Sequence, residues 1–269
     1  GALNVQLRDD RDEYIKINET NMKELGPKYF NRSLFPKVDT YKTIYDYGSL
    51  LHCNAYPFSN NSDKLKTVEP KDNYYKSLYE NMMGQTSYVT FYDYKYLNLL
   101  YCNDSCKYRP EIECFNSGYQ NPKDCTKCVC PSGFIGWNCS ENPISFDNKC
   151  GQIFYHVTKQ EQKIEYFLLV YYCAYKLKAS NNKRICLKIF KDTYTSADKY
   201  PCVPNNGIQI KFQKEKGATG LCICKRRKND FYVKTENDEA VIIIQVPHTP
   251  AKIHFSFKEL EKTCGDLTD

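Results

Sequence analysis

Histidine is scarce in this chain, with four in 269 residues, at His52, His156, His248 and His254. No two of them stand at a spacing by which a helix or turn presents imidazoles to a metal, so each reads as core packing or surface. Also lacking is a hydrophobic run of the roughly 20 residues that cross a bilayer. The longest, "YFLLVYYCAY", is too short and has the composition of a strand. No membrane span is expected. The sequence opens on "GALN", without an initiator Met or a signal peptide, and so reads as a processed product or a fragment. Neither sign of charge dominates: 38 Lys and Arg face 32 Asp and Glu, for a net +6. The one local cluster, "KRRK" at Lys225 to Lys228, is of a kind that contacts heparin-like polymers or acidic surfaces, and reads first as a solvated loop between strands.

Cysteine, by contrast, is abundant, at 15 residues. Disulfides persist in oxidising compartments, which places the protein outside the cell and makes nucleic acid an improbable partner. Five N-x-S/T sequons, at Asn18, Asn31, Asn60, Asn103 and Asn138, fit a glycosylated secreted chain.

Cysteine density divides the sequence. Residues 1–101 hold Cys53 alone, residues 102–140 are dense with cysteine, 141–149 read as a linker, and 150–269 carry cysteines at wider spacing. In the last region "KRICLKIF", "GIQIKF", "AVIIIQV" and "AKIHFSF" alternate apolar and polar residues between Asn, Gly, Asp and Pro, the pattern of half-buried antiparallel strands in a β-sandwich. Near the end of the first region, Thr90 followed by Asp93 predicts an N-cap and an acidic first turn. Leu97, Leu100 and Tyr101 then fall on one face of a short helix.

The run Cys128-x-Cys130, "PSGFIGWN", Cys139 resembles the second half of an EGF-like module. The EGF pattern implies Cys106–Cys125, Cys114–Cys128 and Cys130–Cys139. A structural zinc site on "CTKC" is the rival reading, disfavoured because no second such pair matches it.

Three further stretches resemble the astacin family of zinc metalloendopeptidases. "RDDRDEYIKIN" is similar to the segment after its zinc-binding helix, "YDYGSLLHC" to its Met-turn, and "FYDYKYLNLLYC" to the helix that closes its catalytic domain. With the EGF-like run and a sandwich in which "CAYKL" and "PCVPNNGIQIKFQKEKGATGLCIC" resemble CUB strands, the whole resembles the astacin, EGF, CUB arrangement of nematode members. The implied fold is multidomain: the α+β C-terminal half of an astacin (metzincin) catalytic domain, a disulfide-rich EGF-like module and an all-β CUB sandwich. Cys150–Cys173 and Cys202–Cys224 are its implied bridges.

Family chemistry rests on H-E-x-x-H-x-x-G-x-x-H, whose imidazoles hold zinc while the Glu takes a proton from metal-bound water. Counting back from Arg8, the family's Gly falls on Gly1 and its third His on Asn4. The Glu that receives the activated enzyme's new N-terminus becomes Val5, the Met of the Met-turn becomes Leu51, and the Tyr that stabilises the oxyanion becomes Cys53. An amide is a poor replacement for imidazole on Zn²⁺. Leu for Met conserves volume and costs under about 1.5 kcal/mol. Losing an oxyanion donor costs about 10²- to 10³-fold in kcat. Zinc is the family's cofactor, and none is expected on this chain.

Adjacent Cys53 and His52 do not form a catalytic pair, because neighbours on an extended turn point apart. Cys53 reads as a structural thiol or as the partner of Cys102, with Cys186, Cys222 and Cys264 unassigned. The expectation is a catalytically incompetent fragment of a secreted metalloendopeptidase that acts on protein substrates. The alternative is a pseudoprotease that binds a protein ligand through its CUB domain.

Overall fold

The computed structural model describes residues 4–34, 39–61, 64–142, 150–168, 172–195, 201–224, 226–246 and 250–265. Gly1, Lys225, His248 and most of the expected linker lie outside them.

The N-terminal part is turn-rich. A two-stranded antiparallel ribbon of β1 (Ile15–Ile17) and β2 (Val68–Pro70) is joined by α1 (Leu25–Phe30), α2 (Lys76–Glu80) and α3 (Phe91–Tyr101). Thr90 caps α3 as its sequence predicts. Its hydroxyl accepts from the Asp93 N–H while the Asp93 carboxylate accepts from the Thr90 N–H, a reciprocal capping box. The buried face of α3 is a correction: Tyr92 and Asp93 are buried, whereas Leu97 and Leu100 are half-buried and Tyr101 is 65% exposed. The helix is held by its N-terminal turn rather than by an apolar stripe.

A small hairpin follows, β3 (Tyr119–Asn121) with β4 (Asp124–Val129), stapled by Cys106–Cys125, Cys114–Cys128 and Cys130–Cys139. Both cysteines of "CTKC" are thus in disulfides.

Among the described residues, ten strands form the remainder: β5 (Phe154–His156), β6 (Gln162–Leu168), β7 (Tyr172–Lys178), β8 (Ile185–Ile189), β9 (Tyr194–Thr195), β10 (Gly207–Lys211), β11 (Leu221–Ile223), β12 (Phe231–Lys234), β13 (Glu239–Gln245) and β14 (Ala251–Glu259). They make two sheets, ordered β11-β10-β13-β7-β5 and β12-β8-β14-β6 with β9 on β14, antiparallel except for β5 with β7. Tyr175, Leu177, Ile208, Ile210, Ile242 and Ile244 of the first pack with Ile164, Ile185, Leu187, Ile189, Phe255 and Phe257 of the second. Burying such side chains stabilises by about 1.5–3 kcal/mol each. Cys150–Cys173, Cys186–Cys264 and Cys202–Cys224 staple this sandwich.

The first sheet departs from the half-buried pattern. On β10 the alternate residues Gln209 and Lys211 are each 2% exposed, and on β13 both Ile242 and Ile243 are buried. Its outer face is covered by the preceding parts of the chain. Val241 and Ile243 pack on Phe134 and on Gly133, whose positive φ and missing side chain allow the approach. α2 lies against β11, and Tyr75 packs on Phe212 with ring centroids 5.2 Å apart. Tyr74 and Tyr75 accept hydrogen bonds from the Tyr232 and Lys234 N–H groups, satisfying the edge strand β12.

Candidate functional site

The turn Tyr45–Cys53 is fixed from below by Asp93, at the start of α3. Its Oδ1 accepts from Ser49 Oγ at 2.5 Å and its Oδ2 from the Leu50 N–H at 2.9 Å, so one carboxylate caps a helix and locks a loop. Asp46 holds the other side. Its Oδ1 accepts from the Gly48 N–H at 3.0 Å, and its Oδ2 accepts from the N–H and the hydroxyl of Thr219 at 3.2 and 3.0 Å. Burial, reinforced by neighbouring Asp93, raises the Asp46 carboxyl to about 6 despite these donors. Lys211 is buried nearby, and burial lowers its amine to about 7 against the pull of Asp46. It donates to the carbonyls of Lys216 and Ala218 at 2.7 and 3.2 Å, and so ties down the loop that carries Thr219. Gly217 lets that loop lie directly on the Tyr92 ring.

His52 is buried, and both its ring nitrogens are committed elsewhere than to the Cys53 thiol. Its Nδ1 donates to the Cys53 carbonyl at 2.7 Å, leaving Nε2 to accept from the Tyr45 hydroxyl at 2.7 Å. Burial pushes its pKa down to about 4, so it is neutral at physiological pH. The half-buried Cys53 has its thiol pushed up to about 12 by desolvation. A thiol with so little thiolate is a poor nucleophile.

Asn4 donates its Nδ2 to the Tyr29 hydroxyl at 2.6 Å, and the Val5 N–H donates to the Leu51 carbonyl at 3.2 Å. Val5, Leu51, Asp46, Asp93, Tyr92 and Thr43 line a cavity of about 40 Å³ behind the turn. The two arginines of "RDDRDEY" are structural. Arg8 forks onto Asp10 and donates to the Thr43 carbonyl at 2.7 Å, while Arg11 donates to the carbonyls of Gln6 and Phe30 at 3.0 and 2.7 Å. The structure therefore gathers Asn4, Val5, Leu51 and Cys53 around one turn. It does not pair Cys53 with Cys102: both are free, as is the buried Cys222.

Residues 1–102 match the family model described as Astacin, a family of peptidases. They belong to the astacin family. Over 91% of its length the chain is 31% identical to the zinc metalloproteinase nas-36 of Caenorhabditis elegans, and over 90% it is 28% identical to nas-30 of the same organism. It spans 39% of the first of these relatives and 31% of the second. Among solved structures, the high choriolytic enzyme 1 of medaka is similar over 38% of this chain and 46% of its own, at 28% identity and a TM-score of 0.33. The CUB1-EGF-CUB2 portion of rat MASP-1 is similar over 58% of this chain and 56% of its own, at 15% identity and a TM-score of 0.31.

The sequence resemblance sets Asn4 against the family's third zinc ligand and Cys53 against the tyrosine of its Met-turn. These residues do not fit zinc. Asn4 offers a neutral carbonyl oxygen where the ion selects nitrogen or sulfur, and its amide is held by Tyr29. Val5 and Leu51 offer no donor, and the Cys53 thiol is biased toward its protonated form.

Elsewhere, Glu165, Asp192 and His254 bring potential ligand atoms within 4.8 Å of one another, a grouping that histidine spacing alone did not reveal. Lys252 already occupies it, 2.6 Å from Asp192 and 3.2 Å from Glu165, and His254 stacks on Phe190. Of the sequons, Asn31, Asn60 and Asn103 are exposed. Asn18 is half-buried and donates to Glu69 at 2.6 Å, while Asn138 is 9% exposed and accepts from Ser140.

Proposed function

We propose that this chain is a secreted, catalytically incompetent region of an astacin-type protein. In this reading residues 1–101 correspond to the C-terminal half of the peptidase domain, 102–140 to an EGF-like module and 150–269 to a CUB-like sandwich that binds a protein ligand. The observation that supports this reading is the Asn4 to Tyr29 hydrogen bond: it commits the amide that the reading sets at the family's third zinc ligand, where the chemistry calls for an imidazole. Cys53 supports it from a second position: a thiol is shorter than a tyrosine and a weaker donor, so the oxyanion loses its partner. Six disulfides support the extracellular assignment.

The test is zinc content by mass spectrometry and cleavage of a quenched fluorescent peptide, both on the full natural protein and on its N4H/C53Y variant. The expected result is sub-stoichiometric zinc and no turnover in the natural protein. Stoichiometric zinc with turnover abolished by a chelator sinks the reading, and the variant reports whether ligands elsewhere in the protein can complete the site.

A further inference from the structure

The basic cluster that the peptidase-like region leaves unused lines a recess of about 280 Å³. Its walls are Leu78 of α2 and Asn81 just after it, the Cys202–Cys224 bridge, and the segment Arg226, Arg227, Lys228 and Asn229 that leads toward β12. Among the residues that line it, three carry positive charge and none is acidic. Arg226 and Lys228 are exposed and Arg227 is half-buried.

Two guanidinium groups are braced rather than loose. Arg226 Cζ lies 4.4 Å from the centroid of the Tyr194 ring, and Arg227 Cζ lies 4.7 Å from that of Phe231. Stacking on a ring face fixes the plane of the fork, and on the exposed Arg226 it leaves an N–H edge for an anion. The nearby Asp230 carboxylate is engaged with other groups, accepting from the Lys191 N–H at 2.8 Å and pairing with Lys188 at 3.1 Å. The far wall is anchored where the Cys202 N–H donates to the Asn81 carbonyl at 2.7 Å, so the recess is held between two parts of the chain.

We infer that this recess binds a sulfated polysaccharide of the extracellular matrix, with Arg226 and Lys228 on its sulfates and the Asn81 and Asn229 amides on its hydroxyls. A guanidinium meets a planar or tetrahedral oxyanion with two parallel hydrogen bonds. Consecutive cations on one loop suit an anion that repeats along a chain. The recessed shape does not suit a flat lipid surface. This inference rests on the extracellular assignment and is independent of whether the peptidase-like region turns over.

The test is binding of the full chain to a heparin oligosaccharide and to its desulfated counterpart at about 0.15 M NaCl. R226A/K228A is compared with K159A/K183A, which removes the same charge from exposed positions outside the recess. Sulfation-dependent binding that weakens about ten-fold in R226A/K228A and less than two-fold in the control is expected, with a shallower salt dependence in the recess variant. Equal losses in both variants, binding that ignores desulfation, or full displacement by inorganic phosphate at about the concentration that gives the same ionic strength each overturn it. The first would mean net charge alone, the second a sulfate-blind contact, the third a single-anion site. Because zinc and turnover are not read out, a failure here leaves the Asn4 reading untouched, and the reverse also holds.

Discussion

Asp46 and Thr219 stand 173 residues apart in the chain and meet at 3.0 Å, with the carboxylate accepting both the hydroxyl and the backbone N–H of the threonine. The turn Tyr45–Cys53 is thus clasped by a loop of the sandwich. That contact puts an acid and, through Lys211, a base into a water-excluded seam between two parts of the molecule.

The first prediction concerns pH. A carboxyl raised from 3.8 to about 6 on folding binds more protons folded than unfolded between those values, so its contribution falls as pH rises through that window. The penalty is of the order of 3 kcal/mol. His52 acts oppositely: lowered to about 4 from 6.5, it contributes stability that grows with pH across nearly the same window. The two slopes oppose each other in the natural chain. In D46N the histidine slope is uncovered, and the urea midpoint should gain on that of the natural protein between pH 4 and about 6. Parallel midpoint curves for the two proteins would show that Asp46 is not titrating in this range.

Lys211 gives a second, separate window. Its amine, lowered from 10.5 to about 7, leaves the folded state with fewer protons than the unfolded one, so stability rises with pH above about 7. K211M should be flatter than the natural chain between pH 7 and 9 in the same urea series. An unchanged rise there would assign it to another group.

Much of the local structure is legible in the sequence, and the reasons are physical. Thr90 and Asp93 announce a helix start because both hydrogen bonds of the capping box span three residues. Strands such as β10 and β14 show as alternation because one face of each meets the sandwich core. What local pattern cannot show is the cover on the other face. Lys211 in "GIQIK" reads as solvent-facing and is buried, with its amine held by the carbonyls of the loop that carries Thr219. The same holds at the site: the motifs place Asn4 and Cys53 by resemblance, whereas Tyr29 as the partner of Asn4 comes from a fold that brings together residues 25 apart.

The cover predicts fragment behaviour. Residues 1–101 bury Tyr75 against Phe212 and give the Tyr74 and Tyr75 hydroxyls to β12, contacts that vanish when the segment is expressed alone. A piece of this size with no internal disulfide buries too little to be robust. In limited proteolysis, residues 1–101 should be cut faster than residues 106–269, which keep all six disulfides. Equal resistance would show that the N-terminal part folds unaided.

Glycan placement follows from exposure. Asn31, Asn60 and Asn103 present their side chains to solvent, whereas Asn138 is buried. Expression in a secretory host, followed by peptide mass spectrometry before and after glycosidase, should find occupancy among the first three and none at Asn138. A glycan on Asn138 would require the turn after Gly136 to open, and would contradict the packing of the middle hairpin.

The free thiols offer the sharpest check on the turn itself. Cys53 is partly buried with its thiol pushed up to about 12, and Cys222 is fully buried with its thiol at about 12 as well. Cys102, at the end of α3, is partly exposed. Alkylation runs through the thiolate, so at pH 8 a thiol with pKa about 12 has roughly one molecule in 10⁴ ready to react. Iodoacetamide under native conditions should therefore label Cys102 first and reach Cys53 and Cys222 only after denaturation. Rapid labelling of Cys53 would mean that His52 or another base activates it, and would reopen the pairing of those two residues that the Tyr45 hydroxyl and the Cys53 carbonyl now prevent.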